Sequence, residues 1–174
     1  MITLAVDAMG GDAGLAMTVP GAVDFLKQQS DVHLIMVGDE AAVRQALSSA
    51  GAPMDRITVC HAAQVVEMDE APQSALKNKK ESSMRIAINQ VKEGNAQAAV
   101  SAGNTGALMA TARFVLKTIP GIERPAIAKF LPSDSEHVTL ALDLGANVDC
   151  TPEQLVQFAI IGSELVYALH PEKG

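Results

Sequence analysis

The sequence has no Trp, one Tyr and four Phe, so aromatic residues make up only 3% of its 174 residues. A core must therefore be filled by Ala, Val, Ile, Leu and Met, which suits helices packed on Val/Ile-rich parallel strands. The shortage of stacking rings coincides with 13 Lys+Arg against 20 Asp+Glu and a formal charge of −7. That combination argues against nucleic-acid binding, which needs aromatic platforms and a basic face. The two cysteines, Cys60 and Cys150, lie far apart without CxxC or Cys/His spacing. Neither a zinc site nor a disulfide framework is expected, and a reducing compartment is the default. No apolar run approaches the ~18 residues of a membrane span, and no basic segment precedes Asp7, so neither a leader nor an anchor is expected and the location reads as cytoplasmic. Also absent are GxGxxG and GxxxxGK[ST], which removes the dinucleotide fingerprint and the P-loop. No cofactor or metal is expected, and neither a repeat nor a Pro/Gly/Ser-rich linker is visible.

What is present is 48% hydrophobic residues with 19% charged, enough for a buried core and incompatible with intrinsic disorder. Short apolar runs alternate with amphipathic ones. Strands are expected at 2–6, 33–37, 57–60, 98–101, 127–131 and 138–142, and helices at 18–29, 40–50, 83–93, 105–117 and 152–169, with 68–72 irregular. That order predicts an α/β fold with a doubly wound, mostly parallel sheet and helices on both faces. The short polar link 133–137 allows a hairpin and hence a mixed sheet. In the last helix Thr151, Pro152 and Gln154 supply an N-cap, a first-position proline and a capping-box glutamine. Leu155, Ala159, Gly162, Val166 and Leu169 form a stripe at helical spacing, so most of that helix is expected to be buried. The sequence then stops at His170-Pro-Glu-Lys-Gly, which reads as an interrupted connection.

Four segments carry chemistry, each where a strand ends or a helix begins, which is where open α/β sheets bind ligands. Asp7-Ala8-Met9-Gly10-Gly11-Asp12 sets two carboxylates around a Gly-Gly turn. Its amides can approach an anion and its carboxylates can orient a polar group, or it is only a tight turn. Lys77 to Arg85 carries a local +3 and ends on Ser82 and Ser83 at a helix start, an arrangement suited to phosphate or to a solvated basic loop. Ser101-Ala-Gly103-Asn104-Thr105-Gly106 turns from strand to helix through small polar residues that can cap the helix or face a ligand. Asp143-Leu-Gly-Ala-Asn147-Val-Asp149-Cys150 again directs polar groups from a strand end. Cys150 sits near a helix N-terminus, which lowers a thiol pKa, yet His33, His61, His137 and His170 all lie elsewhere in the sequence and supply no evident base.

Together AVDAMGGD, EMDEAPQSALKNKKESSMR, VSAGNTGALM, GIERPAIAKFLP and LALDLGANVDC resemble the bacterial phosphate acyltransferase family of phospholipid synthesis, the PlsX family. The likeness runs from the first strand to LVQFAIIGS in the last helix, and five motifs in order are far more specific than any one. One departure is Ala13-Gly14-Leu15, where many members carry His-Ala-Pro, so no histidine role is assigned there. The resemblance implies a three-layer αβα sandwich related to phosphotransacetylase and isopropylmalate dehydrogenase folds, usually dimeric. It implies acyl transfer from an acyl carrier protein thioester to inorganic phosphate. Because members are about twice as long, residues 1–174 are expected to form the N-terminal part of a single α/β acyltransferase domain, with peripheral membrane association left to the other half.

On that basis Lys79, Lys80, Ser82, Ser83 and Arg85 are expected to hold phosphate, with Gly10, Gly11, Gly103 and Asn147 beside it. Asn104 and Thr105 would face the reacting carbonyl oxygen, where charge develops. Asp7, Asp12 and Asp143 would orient phosphate or the basic residues. Acyl carrier protein is acidic, so Arg113 and Lys117, four apart on one helix face with Arg124 behind, are either its docking face or a solubilising surface. The rival readings are a coenzyme A-dependent phosphotransacetylase, a metal- and NAD-dependent decarboxylating dehydrogenase, and a non-catalytic module.

Overall fold

The computed structural model describes residues 1–132 and 138–170. The chain divides into two compact units, Met1–Lys117 and Thr118–Gly174.

The first unit carries β1 (Ile2–Asp7), α1 (Leu15–Gln28), β2 (Val32–Gly38), α2 (Glu40–Ser49), a single 3₁₀ turn (Met54–Arg56), β3 (Ile57–His61), α3 (Pro72–Asn78), α4 (Ser83–Lys92), β4 (Ala98–Ser101) and α5 (Thr105–Leu116). Its four strands are parallel in the order β3-β2-β1-β4. β2 shows why this sheet needs both faces covered. Leu34 and Met36 join a core with Val19, Leu26, Val43 and Leu47 from α1 and α2, while Ile35 and Val37 face Ala87 of α4. Alternate residues thus meet opposite helical layers, so β2 is apolar at nearly every position. On the α4 side a further cluster joins Ala75 of α3, Met84 and Ile88 of α4, and Ala107 and Val115 of α5.

The strand order turns back at β1. β2 and β3 follow on one side, whereas β4 pairs with the other side, placing Asp7 opposite Ser101 in register. Such a reversal opens a crevice at the carboxyl ends of β1 and β4.

The second unit contains β5 (Ala128–Pro132), β6 (Val138–Leu142) and α6 (Pro152–Leu169). β5 and β6 pair antiparallel in a ladder of their own, consistent with the hairpin that the sequence allows, and among the described residues they do not join the parallel strands in a mixed sheet. The link 133–137 lies outside the described residues. α6 has the expected capping box, with Thr151 accepting from the Gln154 amide and Gln154 returning to the Thr151 amide. Its expected burial is corrected. Gln154, Phe158 and Gly162 are buried, whereas Leu155 and Leu169 of the expected stripe are 58% and 55% exposed. Gly162 sets this face, because a Cβ there would meet Leu142 Cδ1 at 2.9 Å.

Two further departures have local causes. α3 forms where no helix was expected, running from the end of the irregular stretch 68–72 into the start of the basic run at Lys77; its seven residues bury only Ala75, too few to show a period. α1 begins three residues early and runs through Pro20, while Thr18 donates to the carbonyls of Ala8 and Gly14 at 2.6 and 3.2 Å. Among the described residues no helix is long and apolar enough to cross a membrane.

Candidate active site

Asp7 ends β1 and is 2% exposed. Its Oδ2 accepts the Ser101 hydroxyl at 2.7 Å, and the Ser101 oxygen in turn accepts the Gly103 amide at 3.0 Å. Oδ1 of Asp7 is buried without a hydrogen-bond partner. A buried carboxylate oxygen left unpaired is costly, and such a group is a mark of a binding or catalytic position.

Two loops meet above this carboxylate. A Cβ on Gly10 would lie 2.6 Å from Asp7 Oδ2 and 3.0 Å from the Gly103 amide nitrogen, and one on Gly11 would lie 3.0 Å from the Ala102 carbonyl. Gly11 also holds φ +87°, a left-handed conformation that favours glycine. The glycines therefore let the β1 and β4 loops touch. Among the described residues the amides of Gly10, Gly11, Thr105 and Gly106 donate to no protein acceptor, whereas the Gly103 amide is committed to Ser101. Thr105 opens α5, so the free amides of its first turn and the positive end of that helix point out of the fold at the carboxyl end of β4. Asp12 and Thr105 are exposed.

Asn104 is fully occupied. Its Oδ1 caps α5 by accepting from Ala107, and its amide donates to the carbonyls of Glu67, Met68 and Glu70 at 3.3, 3.0 and 2.8 Å. It ties the 67–70 loop to α5 and has no donor free for a reacting carbonyl, which corrects that expectation.

The basic segment is corrected more extensively. Ser82 and Ser83 are both 1% exposed. The Ser82 hydroxyl caps α4 by accepting from the Arg85 amide, and the Ser82 and Ser83 amides donate to Lys79 and Gln64 carbonyls. Ser83 Oγ is buried without a partner. Each helix has a side-chain cap, but the start of α4 is buried with the Ser83 amide taken by Gln64, whereas the start of α5 is exposed with the Thr105 and Gly106 amides given no protein acceptor among the described residues. Lys79 donates to the Val65 carbonyl at 3.0 Å and stands 3.9 Å from Glu70. Arg85 lies 5.1 Å from the centre of the Phe114 ring. Of the five residues expected to hold phosphate here, Lys80 alone is exposed and without an ion pair among the described residues.

Asp143 and Asn147 belong to the second unit and build a turn. Asp143 takes φ +57°, accepts the Asn147 amide at 3.0 Å and leaves Oδ1 buried and unpaired. Asn147 is held at both ends, donating to the Pro125 carbonyl and accepting from Arg124. Cys150 makes one long contact, 3.7 Å to the Asn147 carbonyl. Among the described residues no group of three His, Cys, Asp or Glu stands close enough to hold a metal ion.

Beside Asp7 lies a cavity of about 320 Å³ lined by Leu4, Val6, Met17, Phe25 and Val100, with Asp7 its only charged residue. Sequence reading placed Ser101 at the head of the third segment but gave it no role and did not pair it with Asp7. Its signal was its place at the end of β4, which gains meaning only when β4 is known to lie beside β1.

Residues 2–171 match the family model described as "Fatty acid synthesis protein". The chain belongs to this family. The whole chain is 83% identical to a protein named phosphate acyltransferase from Neisseria meningitidis serogroup A, and 97% of it is 68% identical to one so named from Chromobacterium violaceum. It covers 50% and 49% of those proteins, so the chain spans about half the length of the curated relatives it matches. Among solved structures, a phosphotransacetylase from Streptococcus pyogenes superposes with TM-score 0.67 at 19% identity, over 91% of this chain and 51% of that one. A phosphotransacetylase from Staphylococcus aureus gives 0.51 at 20% identity, over 79% and 44%. These likenesses bear out the α/β sandwich. The β1–β4 crevice of this fatty acid synthesis family member is built from two of the five motifs by which the sequence resembled the phosphate acyltransferases, AVDAMGGD and VSAGNTGALM.

Proposed function

We propose that this chain is the N-terminal part of a single α/β acyltransferase domain, and that the whole protein moves a fatty acyl group from acyl carrier protein to inorganic phosphate. A phosphate oxygen attacks the thioester carbonyl, the carbon–sulfur bond breaks, and the sulfur leaves as the carrier thiol once protonated, giving acyl phosphate. The observation that carries this reading is the open α5 N-terminus beside the Gly10–Gly11 amides, directly over the buried Asp7. Phosphate is assigned to the amides of Gly10, Gly11, Thr105 and Gly106, with Lys80 and Thr105 supplying side-chain donors. Because phosphate is already anionic, fixing it near the carbonyl is the main task of the site. Asp7 is assigned the proton of monohydrogen phosphate, which its free Oδ1 can accept, and so fixes which phosphate oxygen attacks. Asp12 orients Lys80 or the substrate at the rim. The protein is taken to act in the cytoplasm as a homodimer, with membrane association left to the other half.

The test uses the full-length protein. Acyl carrier protein thioester should disappear only when phosphate is present, with acyl phosphate trapped as a hydroxamate. Turnover of acyl-coenzyme A with none of the carrier thioester would replace the donor with coenzyme A. Thioester loss independent of phosphate would remove the reading altogether.

A further inference from the structure

Phe114 lies near the end of α5, 52% exposed, and two cations from different parts of the chain share its ring. Arg85 of α4 places its guanidinium 5.1 Å from the ring centre, and Lys117 places its ammonium 4.8 Å away. Arg113 is exposed next to it. Among the described residues none of these three cations forms an ion pair, although the chain carries −7. Cations held on an aromatic face are kept in position without a carboxylate to neutralise them.

Lys117 adds a second observation. It closes α5 with φ 67° and ψ 171°, a region nearly reserved for glycine. Among the described residues Lys117 and Asp143 are the two non-glycine residues with positive φ. A lysine here gives up the backbone freedom of glycine and gains one thing visible in the structure, the ammonium on Phe114. Strain retained at an exposed position without any buried packing to favour it points to function.

We propose that Arg85, Arg113, Phe114 and Lys117 form the docking surface for an acidic protein, which on the reading above is the acyl carrier protein. Charge complementarity selects that partner: an unneutralised positive patch on an acidic molecule attracts an acidic surface, steers its approach and repels most other partners. Phe114 supplies the apolar centre that such a patch needs for residence. An anionic membrane is the weaker fit, because one half-exposed ring is little apolar surface to insert and the overall charge opposes adsorption. Arg85 therefore belongs to this surface rather than to the phosphate group.

The experiment compares full-length wild type with Lys117→Gly and with the double variant Arg113→Glu/Lys117→Glu. Lys117→Gly relieves the backbone while removing the ammonium, so its melting temperature should hold or rise. The double variant should bind holo acyl carrier protein about tenfold or more weakly, with less dependence on salt, and Lys117→Gly should fall between. Both should keep the wild-type KM for phosphate and wild-type turnover of an acyl N-acetylcysteamine thioester, a donor with no protein to dock. Unchanged carrier affinity in the double variant overturns the docking surface and leaves the proposed function standing. If wild type neither binds the carrier nor uses its thioester but does use acyl-coenzyme A, the donor assignment fails and the docking surface falls with it. Loss of binding to phosphatidylglycerol vesicles with unchanged carrier affinity would make the patch a membrane contact and overturn the proposal.

Discussion

Ser101 donates its hydroxyl to Asp7 at 2.7 Å, although 94 residues separate the two in sequence. The bond joins the ends of two adjacent parallel strands and leaves the other Asp7 oxygen free. Ser101→Ala should therefore strand a buried carboxylate and lower unfolding free energy by roughly 1–3 kcal/mol. Urea titration of the full-length protein measures this, and phosphate KM should rise with it. Wild-type stability and wild-type phosphate kinetics together would show that Asp7 needs no such partner.

The three glycines near this site should respond differently to a methyl group. Gly10→Ala drives a Cβ to 2.6 Å from Asp7 Oδ2 and should cost about 1–3 kcal/mol, with loss of activity. Gly103→Ala meets the mobile end of Met84 and the Ser101 hydroxyl at 3.1 Å each, so it should cost less. Gly21 has open space around its Cβ position and lines the apolar cavity. Gly21→Ala should stabilise α1 by about 0.4–1 kcal/mol. If the acyl chain enters that cavity, Gly21→Leu should shift donor preference toward shorter chains. An unchanged chain-length profile in Gly21→Leu would place the acyl chain elsewhere.

Direct attack by phosphate needs no covalent relay, and Cys150 touches only a carbonyl. Cys150→Ala should keep most turnover, and incubation with the thioester donor in the absence of phosphate should leave the protein mass unchanged. An acyl adduct on Cys150 that vanishes on adding phosphate would establish a two-step route.

Cys60 behaves differently. Burial pushes its thiol above the ordinary range, and Glu93 and Glu40 add to the effect. Its alkylation at about pH 8.5 should be slower than that of free cysteine. Because the folded state favours the neutral thiol, its contribution to stability is complete below the ordinary thiol pKa and is lost as pH rises through the raised value. Alkylation as fast as free cysteine would contradict the shift.

β4 pairs only with β1 among the described residues, and α6 exposes Leu155, Val156, Ile160 and Tyr167. An open strand edge and an apolar helix face promote association. Residues 1–174 expressed alone should therefore sediment as oligomers or aggregate with rising concentration. A monomer throughout the micromolar range would show that these surfaces are tolerated.

Local signals carried much of the fold. β4, β6 and α6 fall on the expected residues because Ala98–Ser101 and Val138–Leu142 are short apolar runs and Thr151 with Gln154 marks a helix start. The buried face of α6 was not legible, since a helix apolar on nearly every side carries no period. The site was legible only in part. Gly10 and Gly11 announced a close approach, but what they approach is the β4 loop, fixed by strand order rather than spacing. Ser82 was readable as a helix cap, whereas the burial of Ser83 and the capture of Lys79 by Val65 and Glu70 depend on how the 64–70 segment lies across α4.

The β3-β2-β1-β4 order also sets when the site is made. As the chain leaves the ribosome, β1 can pair with β2, and β2 with β3, while β4 is still unsynthesised, so for a time Asp7 ends an edge strand open to water. Its hydroxyl partner arrives only with residue 101, and the α5 amides only after that. The crevice is thus among the last parts of the first unit to form during synthesis, and a chain stalled before β4 would hold three paired strands and no site.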